Sequence, residues 1–210
     1  MNKHRVRRLF GALACICLVF FLTWFFTEFV GQRTEVEGMS MSPTLKDKEN
    51  LILDKISYRF RDPKRYEIVV FPPKYKENTY YIKRVIGLPG DTIQYDNDTL
   101  YINGKKTNEP YLKDYIARFK KDKLQSTYTG KGFEENGELF RQLANTAQAF
   151  TVDKDGNPKF TLKLLDDEYL LLGDDRIVSK DSRQVGAFKK EQIKGQAVFR
   201  LWPIYPFKTY

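Results

Sequence analysis

Apolar positions along the chain fall into two regimes. Residues 9–27, LFGALACICLVFFLTWFFT, form a run of 19 without a charge, and Phe29 and Val30 extend it slightly. As a helix this run rises about 28 Å, against a hydrocarbon core of roughly 30 Å, which predicts one N-terminal transmembrane helix. Beyond it, apolar residues come in short runs rich in β-branched and aromatic side chains: NLILDKISY, YEIVVF, TYYIKRVIG, DTIQYD, TLYING, EYLLLG and QAVFRLWPIY. Pro72-Pro73, Pro89-Gly90-Asp91, Asp96-Asn97-Asp98, Asn103-Gly104 and Asp155-Gly156-Asn157 punctuate them, as turns punctuate strands. The pattern predicts a mainly β, antiparallel fold, with a hairpin around Asn97 and a type I′ turn at Asn103-Gly104. Residues 108–160 differ: YLKDYIARFKKDKLQSTYTGKGF and ELFRQLANTAQAF are charged or weakly helical, and they read as an inserted α+β subdomain.

The first run has two other readings, a cleavable signal peptide and a buried helix. A signal peptide has an apolar region of about 7–15 residues followed by a small-residue cleavage pattern, and residues 28–33 supply none. GALAC lies too early in the chain for a lipoprotein box. An uncleaved span fits best. Lys3, Arg5, Arg7 and Arg8 precede it, whereas Glu28, Arg33, Glu35 and Glu37 follow, so the positive-inside bias keeps the N-terminus cytoplasmic. The chain then divides into a cytoplasmic tail (1–8), an anchor in the cell membrane (9–30) and an extracytoplasmic body (31–210). The C-terminal FRLWPIYPF fits a buried closing strand more readily than an aromatic patch in which Trp202 and Phe207 dip into the bilayer interface.

Charge changes the picture little. Of the formal +9, four positives belong to the N-terminal tail and the rest are interspersed with acids, which describes a mixed solvated surface rather than a phosphate-tracking stripe. With no zinc-finger spacing or RNP-like motif, no nucleic-acid partner is expected. Cys15 and Cys17 lie inside the apolar run, where residues two apart on a helix point in different directions and do not pair. About 180 residues remain for the body, enough to bury a core without staples.

What is missing narrows the chemistry. The single histidine is His4 and the body has no cysteine, which excludes a Ser-His-Asp triad, a thiol nucleophile and a histidine-rich zinc site there. A covalent catalyst built from this body uses Ser, Thr or Lys as nucleophile, and Lys or a carboxylate as base. A lysine base must be neutral, yet a lysine in water holds its proton up to a pKa of about 10.4; burial disfavours the ammonium, and a drop of two units corresponds to roughly 2.7 kcal/mol.

Three segments carry candidate residues. EGMSMSPTL, 37–45, presents Ser40 and Ser42 shortly after the apolar run. YYIKRVIGLPGD, 80–91, sets Lys83 among apolar strand residues; taken alone, it is better read as Lys83 and Arg84 serving as charges that keep an edge strand from aggregating, a common use. Alternation puts Lys83 and Arg84 on opposite faces. LLLGDDRIVSKDSRQVG, 170–186, runs a strand into a loop of acids, arginines and hydroxyls, readable as a polar turn with weak local ion pairs. Its Asp174-Asp175 pair lacks the histidine or well-spaced third acid of a metal site, and no cofactor is expected.

Together SMSPTL after a span, YIKRVIGLPGD about forty residues later, and GDDRIVSKDSRQVG near the end resemble, in order and spacing, the boxes of bacterial type I signal peptidases. The single span, NEPYLKDYI and KLQSTYTGKGF are similar to Gram-positive, particularly streptococcal, members. The resemblance implies a membrane-anchored serine endopeptidase that removes signal peptides from exported pre-proteins after small residues, through an acyl-enzyme, in an antiparallel β catalytic domain. By it Ser40 is the nucleophile and Lys83 the general base. Ser179 orients the amine, Asp174 pairs with Arg84, and Asp181 pairs with Arg183. Ser42 has no catalytic part. The Ser40 main-chain N–H would serve the oxyanion, and Met39, Met41, Ile68, Val69, Val70 and Ile82 would line the substrate pockets. Three positions depart from the pattern. Gly38 stands where some relatives carry a second oxyanion donor, Asp175 where many carry asparagine, and RYEIVVF replaces an Arg-Gly-Asp strand start. A penicillin-binding type of Ser-Lys enzyme is excluded at Ser40 because Pro43, not lysine, stands three residues on. A tethered binding protein without turnover is the rival from another class.

Overall fold

Why the β-branched runs become strands is seen most directly in β3 (Ile68–Phe71), all four of whose side chains are buried. Ile68 and Val70 pack with Leu51, Leu53 and Ala197, whereas Val69 and Phe71 pack with Val85, Leu171 and Phe188. A strand covered on both faces has no polar side to show, and so reads as a continuous apolar run. The computed structural model describes residues 3–25, 31–72 and 80–202.

In chain order, helix α1 (Lys3–Phe25) precedes β1 (Gly31–Glu35), β2 (Asn50–Asp54) and β3. β4 (Tyr81–Gly87), β5 (Thr92–Asp96), β6 (Thr99–Ile102) and β7 (Lys105–Thr107) come next. Then follow α2 (Lys113–Asp122), α3 (Gly137–Thr146), β8 (Lys159–Lys163) and β9 (Glu168–Leu172). The short α4 (Ser182–Val185) and β10 (Phe188–Lys189) lead to β11 (Gly195–Trp202).

The strands form two antiparallel sheets, a seven-stranded one in the order β1-β2-β11-β3-β4-β9-β10 and a four-stranded one, β7-β6-β5-β8. Asn97 and Asp98 turn the β5–β6 hairpin, and Asn103 and Gly104 the β6–β7 hairpin, all four at positive φ, as the type I′ signal requires. α2 and α3 fall between β7 and β8. Their buried Tyr115, Phe119 and Ala144 join Phe150, Tyr128 and Leu124 in the largest core cluster, which also contains Tyr95 of β5 and Leu172 of β9. β11 is inserted between β2 and β3, so residues 195–202 are a strand of the sheet; Phe207 and the rest of 203–210 lie outside the described residues.

Among the described residues no helix is long and apolar enough to cross a membrane. Residues 26–30, including Phe29 and Val30, lie outside the described residues.

Candidate active site

Three segments far apart in sequence meet where β9 ends. Leu172, its last residue, pairs with Arg84, so Lys83 stands just past the end of its neighbour strand, and the loops around Ser40 and Ser179 fill the space. β4 is interior, flanked by β3 and β9. Lys83 and Arg84 are therefore not edge-strand charges, and both are 3% exposed.

The loop carrying Ser40 runs from β1 to β2 and is closed by backbone bonds, Val36 N–H to Glu49 O and Lys48 N–H to Val36 O, both 2.8 Å. Met41 and Leu45 anchor it in the core, and Arg200 of β11 donates to the Thr44 carbonyl at 2.7 Å. Gly38 takes a positive φ of 84°, a conformation open to glycine at little cost, and its N–H donates to the Asp47 carboxylate at 2.7 Å. That N–H is thereby engaged within the loop. Ser42 is buried, with its side chain beside that of Tyr115.

The loop after β9 is stitched to this one: Asp175 N–H donates to the Ser40 carbonyl at 3.1 Å, and Ser179 N–H to the Asp175 carbonyl at 3.0 Å. A Cβ on Gly173 would lie 2.5 Å from the Ser40 carbonyl oxygen and closer still to Ser179 Oγ, which is why the position before Asp174 carries no side chain.

Lys83 Nζ lies 2.7 Å from Ser40 Oγ and donates to the Ile82 carbonyl at 2.9 Å. Burial lowers the amine to about 8 against the opposing pull of the Asp181 and Asp174 charges, since a dry pocket disfavours the ammonium. Arg84, on the other face, is fully satisfied: Nε and Nη2 reach the two Asp174 oxygens at 2.9 and 2.6 Å, and its guanidinium lies 4.0 Å from the Tyr111 ring centroid. Thr44 donates to the same carboxylate. Asp181 takes a bidentate pair from Arg183 at 2.9 Å and accepts the Gly173 N–H at 3.0 Å; burial works to raise this carboxyl, but the Arg183 charge prevails and leaves it lowered. Ser179 Oγ is buried at the junction without a hydrogen-bond partner of normal geometry, though it is near enough to Asp181 to help lower that carboxyl. The bond from Ser179 to the lysine amine that the resemblance implies is not made in this structure; the Lys83 amine instead bonds Ser40 and its own neighbour's carbonyl.

A groove of about 360 Å³ opens on Ser40 and Lys83, with Met39, Met41, Val70 and Ile82 in its walls. Ile68 and Val69 do not line it. Val69 turns to the opposite face because β3 alternates, and Ile68 is covered within the core beside Val70. Among the described residues no group of acids, histidines or cysteines is arranged to hold a metal.

Sequence reasoning did not single out Thr44, although it is part of SMSPTL and four residues from Ser40. It also missed the fully buried Arg176, which binds Glu109 at 2.5 Å and the Tyr95 hydroxyl at 2.8 Å, tying the smaller sheet to the loop after β9. Tyr128, whose hydroxyl donates to Asp175 at 2.8 Å, and Phe140, which lines the groove from α3, have no local signal that marks them.

A serine hydroxyl against a buried amine, beside a groove, is the equipment of a serine-nucleophile hydrolase. The family model "Signal peptidase, peptidase S26" matches residues 7–202. The chain is 55% identical over 183 residues to signal peptidase I of Streptococcus pneumoniae, covering 87% of each. It is 37% identical over 193 residues to signal peptidase IB of Staphylococcus aureus, covering 92% of this chain and 89% of the relative. A solved signal peptidase I from Enterococcus faecalis aligns with a TM-score of 0.45 at 28% identity, over 66% of this chain and 98% of that one. The chain belongs to the signal peptidase family, enzymes that remove signal peptides from pre-proteins.

Proposed function

We propose that the chain is a membrane-anchored serine endopeptidase acting through a Ser40–Lys83 dyad. Neutral Lys83 accepts the Ser40 proton as Oγ attacks the scissile carbonyl. The amine, now charged, passes a proton to the departing amine, and an acyl-enzyme remains on Ser40. Water activated by the same lysine then releases the signal peptide. The Ser40 N–H donates to the oxyanion. Ser179, Asp181 and Arg183 hold the loop that closes over the amine, and Asp174 with Arg84 fixes the far side of β4. Met39, Met41, Val70 and Ile82 form shallow walls that accept small side chains before the cut. The span over residues 9–30, N-terminus inside, keeps enzyme and pre-protein in one bilayer and so raises their effective concentration; residues 31–210 are the extracytoplasmic peptidase body, with 108–160 inserted in it.

The observation that carries this reading is the Lys83 amine, 3% exposed and 2.7 Å from Ser40 Oγ. Cleavage of a pre-protein with small residues before the cut tests it: Ser40→Ala and Lys83→Met are each expected to lose at least about 10²-fold in kcat, the scale of a missing general base. Equal rates in all three proteins discard the dyad.

A further inference from the structure

The groove runs past residues 80–83 at the start of β4 and along residues 34–41, and its walls differ on the two sides of Lys83. On one side of Lys83 its wall is Val70 of β3, which pairs with Ile82. On the other it is Val178 and Lys180, from the loop after β9, together with Phe140 of α3. β4 lies between β3 and β9, so these are opposite ends. The β3 end is also walled by Thr34 and Val36, in and just after the first strand beyond the apolar N-terminal run. With the proposed span holding enzyme and signal segment in one bilayer, that segment would enter from this end, and the chain beyond the cut would leave past Phe140 and Lys180.

From this, and resting on the reading of Ser40 as nucleophile, we infer that Phe140, Val178 and Lys180 form the subsite for the first two residues after the scissile bond, selecting an acidic over a basic side chain there. The two ends differ in charge: Glu35 and Glu37 line the entry end, Lys180 the exit end. Glu35 is paired with Lys48 at 3.2 Å, whereas Lys180 is exposed and, among the described residues, in no ion pair. Phe140 is half-buried, in ring contact with Tyr128 and Phe133 at 5.6 and 6.2 Å. Tyr128 bonds Asp175, whose N–H holds the Ser40 carbonyl. The wall supplied by α3 is thus held in register with the nucleophile through one aromatic ring and one carboxylate.

The test uses the full chain in phospholipid vesicles and pre-protein substrates identical up to the cut, carrying Asp, Gln or Lys at the second residue after it. Wild type is expected to cleave the Asp substrate about threefold to fivefold faster in kcat/KM than the Lys substrate at low salt, the scale of an exposed charge pair. The ratio should shrink towards one near 1 M salt, where the Debye length is about 3 Å. Lys180→Gln should erase the ratio and Lys180→Glu invert it. Phe140→Leu and Phe140→Ala should lower kcat/KM for a large apolar first residue by up to about tenfold relative to glycine there. An unchanged ratio in both Lys180 variants, or a shift confined to residues before the cut, overturns the subsite. If Ser40→Ala still cleaves, the nucleophile reading falls with it; if Ser40→Ala is inactive while the ratios stay put, the subsite alone falls.

Discussion

Lys83 and Arg84 are adjacent cations on one strand, buried to the same 3% exposure, yet their surroundings give them opposite properties. On Arg84's side stand a bidentate carboxylate, a threonine and an aromatic face, so its charge is matched and fixed. On Lys83's side the polar neighbours are a hydroxyl and a carbonyl, while Asp181 is claimed by Arg183. Burial with a dedicated counterion makes a structural ion pair; burial without one makes a proton acceptor. The difference between scaffold and chemistry here is one carboxylate, and alternation along β4 keeps the two environments apart.

The comparison breaks most forcefully at its scaffold half. Asp174→Asn strands Arg84 and is expected to cost about 3–5 kcal/mol of stability, read from urea unfolding; a much smaller loss would mean that the arginine finds water. On the chemical half, kcat/KM should climb about tenfold per pH unit below pH 8 and level off above it, because burial lowers Lys83 to about 8 and the proposed dyad requires the neutral amine; this amounts to roughly 2.7 kcal/mol between pH 6 and 8. A profile set only by groups titrating near pH 4 would assign the base to a carboxylate.

Smaller effects sharpen the boundary between the two sites. Gly173→Ala forces a methyl against the Ser40 carbonyl and Ser179, an overpacking worth about 1–3 kcal/mol, and it should depress kcat beyond its effect on melting temperature; a silent variant would show that the two loops move apart readily. The last test concerns Asp175. Burial raises it to about 7 against the Tyr128 hydrogen bond, so the folded protein prefers its neutral form. A carboxyl raised on folding loses stability as pH climbs from about 4, its ordinary value, to 7. Asp175→Asn should therefore gain melting temperature relative to wild type at pH 8 compared with pH 5, and equal differences at the two values would remove the ionisation from the account.

How much of this was legible before folding depends on the kind of signal. The strands with β-branched runs and the two Asn-centred hairpins were readable because burial and turn chemistry act locally. β1 (GQRTE), β7 (KKT) and β8 (KFTLK) were not: they are polar and half-exposed edge or near-edge strands, held by cross-strand pairing that a single segment does not display. Residue types at the candidate site were likewise readable, since a body without histidine or cysteine has few routes to covalent chemistry and the three boxes occur in order.

By itself the sequence determined the apolar N-terminal run, the strand-rich body and which side chains were available for catalysis, because periodicity, turn residues and composition are properties of the chain. Only the tertiary structure decided which face of β3 meets the groove, that β4 is interior, that Lys83 lacks a carboxylate while Arg84 has one, and that an aromatic ring from α3 lines the groove on which Ser40 opens. Those are statements about distance and dielectric between residues up to 156 positions apart, and they come into being only when the sheets close.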